Sequence, residues 1–180
     1  MDRRIRKTKK AIQEALADLM LEKDLPHITV QAVADRADIH RATFYSHYTD
    51  VYDLYRQMED AVLAEMTHIL GMDPAQPCDD AFRLLVDYVY ENATMCRLLL
   101  DSKRSMGFTD RLSRLLEDRG LQFLQANRPE TPPGYWAYYT AYHIQGCLAI
   151  VNRWVRDDFS RPKEEIIRLI TLVDDHFDGI

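Results

Sequence analysis

Between Ile28 and Leu54 two short segments, each with one apolar side, flank a polar break at Asp38, and few folds accommodate that pattern. Val30, Val33, Ala34 and Ala37 recur at three- and four-residue spacing, so one side of a first short helix faces a core. Thr29 stands where an N-cap belongs, its hydroxyl able to accept from an otherwise unpaired backbone N–H at a helix end that also suits a phosphate. Asp38 falls in the turn, where a short polar side chain tolerates the left-handed backbone that Gly supplies more easily. A second short helix, from about Arg41 to Tyr48, can bury Ile39, Phe44 and Tyr48 together. Arg41, Ala42, Thr43, Tyr45, Ser46 and His47 then face outward, with no acid among them. They offer a guanidinium, hydroxyls, a phenol and an imidazole, while small Ala42 lets the helix approach base edges closely. The expected DNA-contact set is Thr29, Gln31, Arg41, Ala42, Thr43, Tyr45, Ser46, His47 and Tyr48, so Tyr48 enters both the buried and the contacting group.

Thr29, Ala34, Ala37, Ile39, Thr43, Phe44, Tyr45, His47, Tyr48 and Asp50 follow one family's pattern, and the first fifty-odd residues resemble the DNA-binding domain of TetR-family transcriptional regulators. The resemblance implies phosphate contacts from Thr29, Tyr45 and His47, and base or phosphate contacts from Arg41, Ala42 and Thr43. It also implies a homodimer whose last two helices build a four-helix bundle at a two-fold axis. Two heads so related occupy half-sites of a palindromic operator, and regulators of this kind are most often repressors. Three positions depart from the pattern: Asp38 stands where Gly is usual, His40 where Ser or Thr caps the recognition helix, and Val51 where a phosphate-binding Lys is usual. Losing that Lys predicts weaker and less salt-dependent binding than a typical member shows.

Charge supports a DNA-facing head only locally. Arg3, Arg4, Arg6, Lys7, Lys9 and Lys10 stand against the single acid Asp2 in the first ten residues, whereas the whole chain carries a formal net charge of -6. An acidic body with a basic leading edge is directional toward DNA. No apolar run approaches the ~20 residues that cross a bilayer, so no membrane association and a cytoplasmic protein are expected. Cys78, Cys96 and Cys147 are odd in number and widely spaced, which argues against a disulfide framework and for small buried hydrophobes.

Helical periodicity runs almost throughout, and no period-two alternation lasts a strand's length, so the expected fold is all-α. A three-helix helix-turn-helix head covers residues 1–49, with its first helix from Ile5 to Glu22, and a helical regulatory and dimerisation body covers residues 50–180. Asp50 should cap a helix running to about Leu70, a natural lever between the two. Body helices are expected near 78–92, 93–102, 108–127, 135–158 and 162–178. On the last two, Tyr142, Ile150, Trp154, Ile166, Ile170 and Val173 give apolar coverage wider than one buried stripe needs, and are the expected dimer interface. Gly146 and Ala149 suit close helix packing. An effector pocket is expected from Phe82, Tyr88, Met95 and Leu99, together with Phe123, Tyr139 and His143.

The stretches YENATMCRLLLDSK and GCLAIVNRWVRDDFSRPKEEI resemble the C-terminal domain of a TetR subset that includes activators of dihydroxyacetone-kinase operons. That resemblance implies a protein rather than a small molecule as effector, and keeps open an alternative: a coactivator or adaptor acting through protein partners. Gln145-Gly146 stands where that subset tends to pair glycines. His143 and Cys147 are four apart and share a helix face, but a metal site would need Cys96 or His68 to converge on them, so no metal is expected. Neither a cofactor nor catalysis is expected: there is no Gly-rich phosphate loop, nucleophile elbow or paired metal-ligand motif.

Overall fold

A computed structural model of the chain describes residues 3–71, 78–100, 107–127 and 132–177, and among these every regular element is a helix. Helix α1 (Arg3–Glu22) buries Ile12, Ala15, Leu16, Leu19 and Met20 on one side, and Leu25–Pro26 starts the single 3-10 turn that ends it. Helix α2 (Val30–Arg36) packs against α1 and begins at Thr29, whose Oγ1 accepts from the Ala32 N–H at 3.2 Å.

The break after α2 is a complete Schellman turn. The Ile39 N–H donates to the Ala34 carbonyl at 3.0 Å and the Asp38 N–H to the Asp35 carbonyl at 3.3 Å, with Asp38 left-handed at φ 52°. An aspartate thus does here what glycine usually does. Helix α3 (Arg41–Tyr45) follows, packed on α2, and ends three residues short of the expected Tyr48. His40 occupies its N-cap position and makes no side-chain cap bond.

Helix α4 (Val51–Leu70) is capped from both sides. The Asp53 N–H donates to Asp50 Oδ1 at 2.7 Å, and Asp53 Oδ2 accepts from the Thr49 N–H at 3.0 Å. That Thr49 bond, opposed by partial desolvation and helped by Gln57 and Arg56, holds the Asp53 carboxyl below the usual carboxylate range. The chain forms two compact units, one ending at Val62 and the other beginning at Leu63. The polar break at Thr49–Asp50 caps α4.

In the second unit α5 (Cys78–Glu91) packs on α9 (Lys163–Phe177), and α7 (Phe108–Asn127) on α8 (Pro133–Arg156), while α6 (Ala93–Leu100) touches both α7 and α8. Helices α7 and α8 meet at Gly120, where an added Cβ would lie 2.8 Å from Thr140 Cγ2. A second Schellman turn ends α8: the Phe159 N–H reaches the Trp154 carbonyl at 3.0 Å and the Asp158 N–H the Val155 carbonyl at 3.2 Å. Asp158 and Phe159 both take positive φ, 59° and 55°. Trp154 is buried, stacks on Tyr90, meets Phe159 edge-on at 4.8 Å, and donates Nε1–H to the Arg161 carbonyl at 2.8 Å. Arg97 pairs with Asp158, and Lys163 Nζ with Asp87 Oδ1 at 2.5 Å, fastening this turn to α6 and α5.

Cys96 and Cys147 are buried free thiols, and burial pushes the Cys96 thiol up to about 12. In a Cys78→Ser background neither should react with a disulfide reagent until the protein unfolds; prompt native labelling of Cys96 would contradict its burial. His40→Ser should raise stability by about 1 kcal/mol by giving α3 its missing cap, read as a higher midpoint in a thermal melt. Asp53→Asn should destabilise at neutral pH. Because the native carboxyl lies low, the stabilisation from Asp53 is present above the unfolded value of ~3.9 and is lost as pH falls through the native one. The gap between wild type and Asp53→Asn in urea titrations should therefore close toward acid pH.

Candidate nucleic-acid interface

In the first unit Phe44 is fully buried, edge-on to Tyr45 at 5.8 Å and tilted against Tyr48 at 5.6 Å. Anchoring α3 through Phe44 leaves Arg41, Ala42, Tyr45 and Ser46 exposed, with Thr43 and His47 half-buried. Tyr45 keeps 47% of its surface in solvent. Arg41 lies over its ring, 5.3 Å from the centroid, and donates from a terminal nitrogen to the phenol oxygen at 2.9 Å. Ser46 Oγ donates to the Thr43 carbonyl at 2.7 Å, closing the helix end. On α2, Gln31 is exposed and donates to Asp35 Oδ1 at 2.7 Å, while exposed Thr29 uses its oxygen for the cap and retains a hydroxyl proton to donate.

Tyr48 does not belong to this surface. It is 2% exposed, hydrogen-bonds Gln13 on α1, and burial raises its phenol above the ordinary value. Its backbone N–H donates to the Phe44 carbonyl at 3.0 Å, one helical turn back, so Tyr48 falls on the same buried side as Phe44. Val51 is likewise buried, 4% exposed, so this position contributes to the core where the resembled pattern carries a phosphate-binding Lys. Cationic charge comes instead from α1. Its first turns are helical and hold exposed Arg3, Arg4, Arg6, Lys7 and Lys10, and Lys9 Nζ lies 5.7 Å from the Tyr48 ring centroid, so this basic end sits beside the end of α3.

In the second unit several of the residues expected to line a pocket pack against one another. Leu99 is fully buried, Tyr139 and His143 stack on each other, and Phe82 meets His143 edge-on at 5.4 Å. Phe82 borders a small apolar pocket that Leu85, Val86, Leu112, Leu116 and Val151 also line. Tyr88, Met95 and Phe123 are half-buried packing residues outside it; burial and the nearby Cys96 and Glu65 push the Tyr88 phenol up to about 12. Cys147 Sγ and His143 Nε2 do share a face, 3.9 Å apart, but no group of three or more potential metal ligands occurs among the described residues.

Half of the expected dimer set is internal core. Trp154, Ile166 and Ile170 are 2%, 4% and 1% exposed, because α8 and α9 turn them onto α5 and each other. Ile150 and Val173 are half-buried and Tyr142 is 65% exposed. The uncovered apolar surface lies elsewhere on the same helices: Tyr135 and Tyr138 flank Tyr142 on α8, and Leu169 and Leu172 stand out on α9. A Cβ at Gly146, one turn beyond Tyr142, would meet nothing within 4 Å. No helix among the described residues is long and apolar enough to cross a membrane.

Residues 78–173, more than half the chain, match the family profile described as the transcriptional regulator C-terminal region. The HTH-type transcriptional regulator YxbF of Bacillus subtilis (strain 168) is 37% identical over 67 residues, 37% of this chain and 18% of that relative's length. NalD, the secondary repressor of the MexAB-OprM multidrug efflux pump in Pseudomonas aeruginosa, superposes with a TM-score of 0.70 at 19% identity over 99% of this chain and 98% of its own. The dihydroxyacetone kinase operon activator DhaS gives 0.62 at 17% identity over 92% and 93%. With an acid-free recognition helix in its first unit and a regulator's C-terminal region in its second, the chain belongs to the TetR family of DNA-binding transcriptional regulators.

Proposed function

We propose that the protein acts as a homodimeric repressor that binds a palindromic operator through Arg41–His47, working in the cytoplasm on bacterial chromosomal DNA. The outward face of α3 carries the proposal: it presents a guanidinium, hydroxyls, a phenol and an imidazole with no carboxylate, in a chain whose net charge is -6. One five-residue helix reads few base pairs, so affinity and specificity require a second copy in the next major groove. The exposed Tyr135, Tyr138, Tyr142, Leu169 and Leu172, with open space at Gly146, support pairing through α8 and α9. An effector acts only by favouring one spacing of the two heads, and α4 belongs to both units and transmits that choice.

The fold is shared with a repressor and with an activator. Enrichment of random duplex DNA on the purified protein should recover an inverted repeat. Failure to enrich, with the protein folded and dimeric, would favour the coactivator reading and make partner capture the next step. On the recovered operator, Arg41→Ala should weaken binding by about 1–3 kcal/mol and relax preference at one base pair per half-site. Tyr45→Ala should abolish binding and leave the dimer intact by sedimentation. Unchanged affinity in both would overturn the assignment of α3.

A further inference from the structure

A polar cleft lies between α7 and α8, with Leu100 at the end of α6 in its lining. The two helices run antiparallel. They are in contact at Gly120 and Thr140, are joined by a bond from Gln145 to Glu117 at 3.3 Å, and part beyond it to leave a space of about 530 Å³. Its inner portion, about 210 Å³, has Leu100, Leu112 and Leu148 as a floor. The rim is charged in both senses, with Arg114 and Arg156 against Asp110 and Glu117. Each guanidinium spends its Nε–H on a carbonyl one turn back on its own helix, Asp110 for Arg114 and Asn152 for Arg156, both at 3.2 Å. Both arginines line the cleft, and among the described residues neither forms an ion pair. Between rim and floor, the Asn152 side-chain oxygen is buried and has no hydrogen-bond donor. Such an atom costs about 1–3 kcal/mol to leave unmade.

These features specify the chemistry of an occupant. A carboxylate satisfies the guanidinium groups. An anion of higher charge meets Asp110 and Glu117 as repulsion, and a bare amine meets the two arginines in the same way. A donor is required for Asn152, and an apolar tail for the leucine floor. From this arrangement we infer that the α7–α8 cleft binds a small zwitterion with an aliphatic side chain, an α-amino acid or a short peptide carrying the same groups. The site is built wholly from the second unit and stands apart from the reading of DNA.

The test uses the full chain without DNA, by calorimetry and thermal melts, with L-leucine and L-leucylglycine as zwitterions. Isovalerate lacks the ammonium and isoamylamine lacks the carboxylate. The zwitterions should bind and raise the melting midpoint with concentration, while the singly charged controls do not. Leucine alone binding identifies a free amino acid; the dipeptide alone identifies a peptide. Arg114→Gln with Arg156→Gln, both exposed positions, should leave the unliganded melt unchanged and weaken binding at least about tenfold, one lost charge-assisted contact's worth. Absence of binding by both zwitterions overturns the inference. So does isovalerate binding as tightly as leucine, or full affinity retained in the double variant, which would put the ligand elsewhere.

Discussion

Helix α3 is five residues long, and a helix of that length has no stability of its own. Everything the recognition surface does therefore depends on what holds those residues from outside. One constraint is the left-handed turn at Asp38, which sets the direction in which the chain leaves α2. The other is the burial of Phe44 and Tyr48, which fixes the rotation of α3 and so decides that Arg41 and Tyr45 face outward. The His40 side chain makes no cap bond, and only its carbonyl, accepting from the Thr43 N–H at 2.8 Å, serves the N-terminus. Core packing behind the helix, more than bonding within it, positions the side chains proposed to meet DNA.

The same device recurs at the end of α8, with a different outcome. Asp38 and Asp158 each occupy the glycine position of a Schellman turn, but Asp158 is paired with Arg97 and followed by Phe159, itself left-handed. An aromatic residue in that region costs of order 1–3 kcal/mol. Edge-on contacts of Phe159 with Trp154 and Tyr90, each worth about 0.5–1.5 kcal/mol, and the cation–π contact from Arg97 offset that cost. Strong tertiary locks make the α8–α9 corner a fixed frame for the helices proposed to pair. The turn at Asp38 is exposed and has only its backbone bonds.

Legibility in the sequence followed the range of the interaction. Thr29, Asp38 and Asp50 act within four residues of themselves, and each does what local chemistry dictates. Helix positions were legible for the same reason. Periodicity marks a residue as apolar without saying what covers it, so Trp154, Ile166 and Ile170 read as interface and are core, while Tyr135 and Tyr138 went unnoticed. The aromatic set of the second unit has the composition of a pocket lining, but spacing along a helix cannot separate a packed centre from a hollow one. The polar cleft is not legible in the sequence because its walls come from two helices, residues 109–117 of α7 and 145–156 of α8, and so depend on their pairing. One trace was present: a glycine inside a long amphipathic helix marks close approach of a neighbour.

Arg41 and Tyr45 together bear on how such a surface can be selective with little charge behind it. Val51 is in the core, so in the proposed DNA complex this position supplies no lysine contact to the backbone, and the sequence-independent term is expected to be smaller. Discrimination then rests more heavily on base contacts. The Tyr45 ring holds Arg41 over its face, and the bond to the phenol occupies one of five guanidinium N–H donors. Two parallel donors are enough to read the O6 and N7 acceptors of guanine. A guanidinium already restrained by stacking loses less freedom when it makes that contact. The free-state geometry is therefore compatible with the proposed base reading and lowers its entropic cost, with the tyrosine as the positioning surface for the arginine beside it.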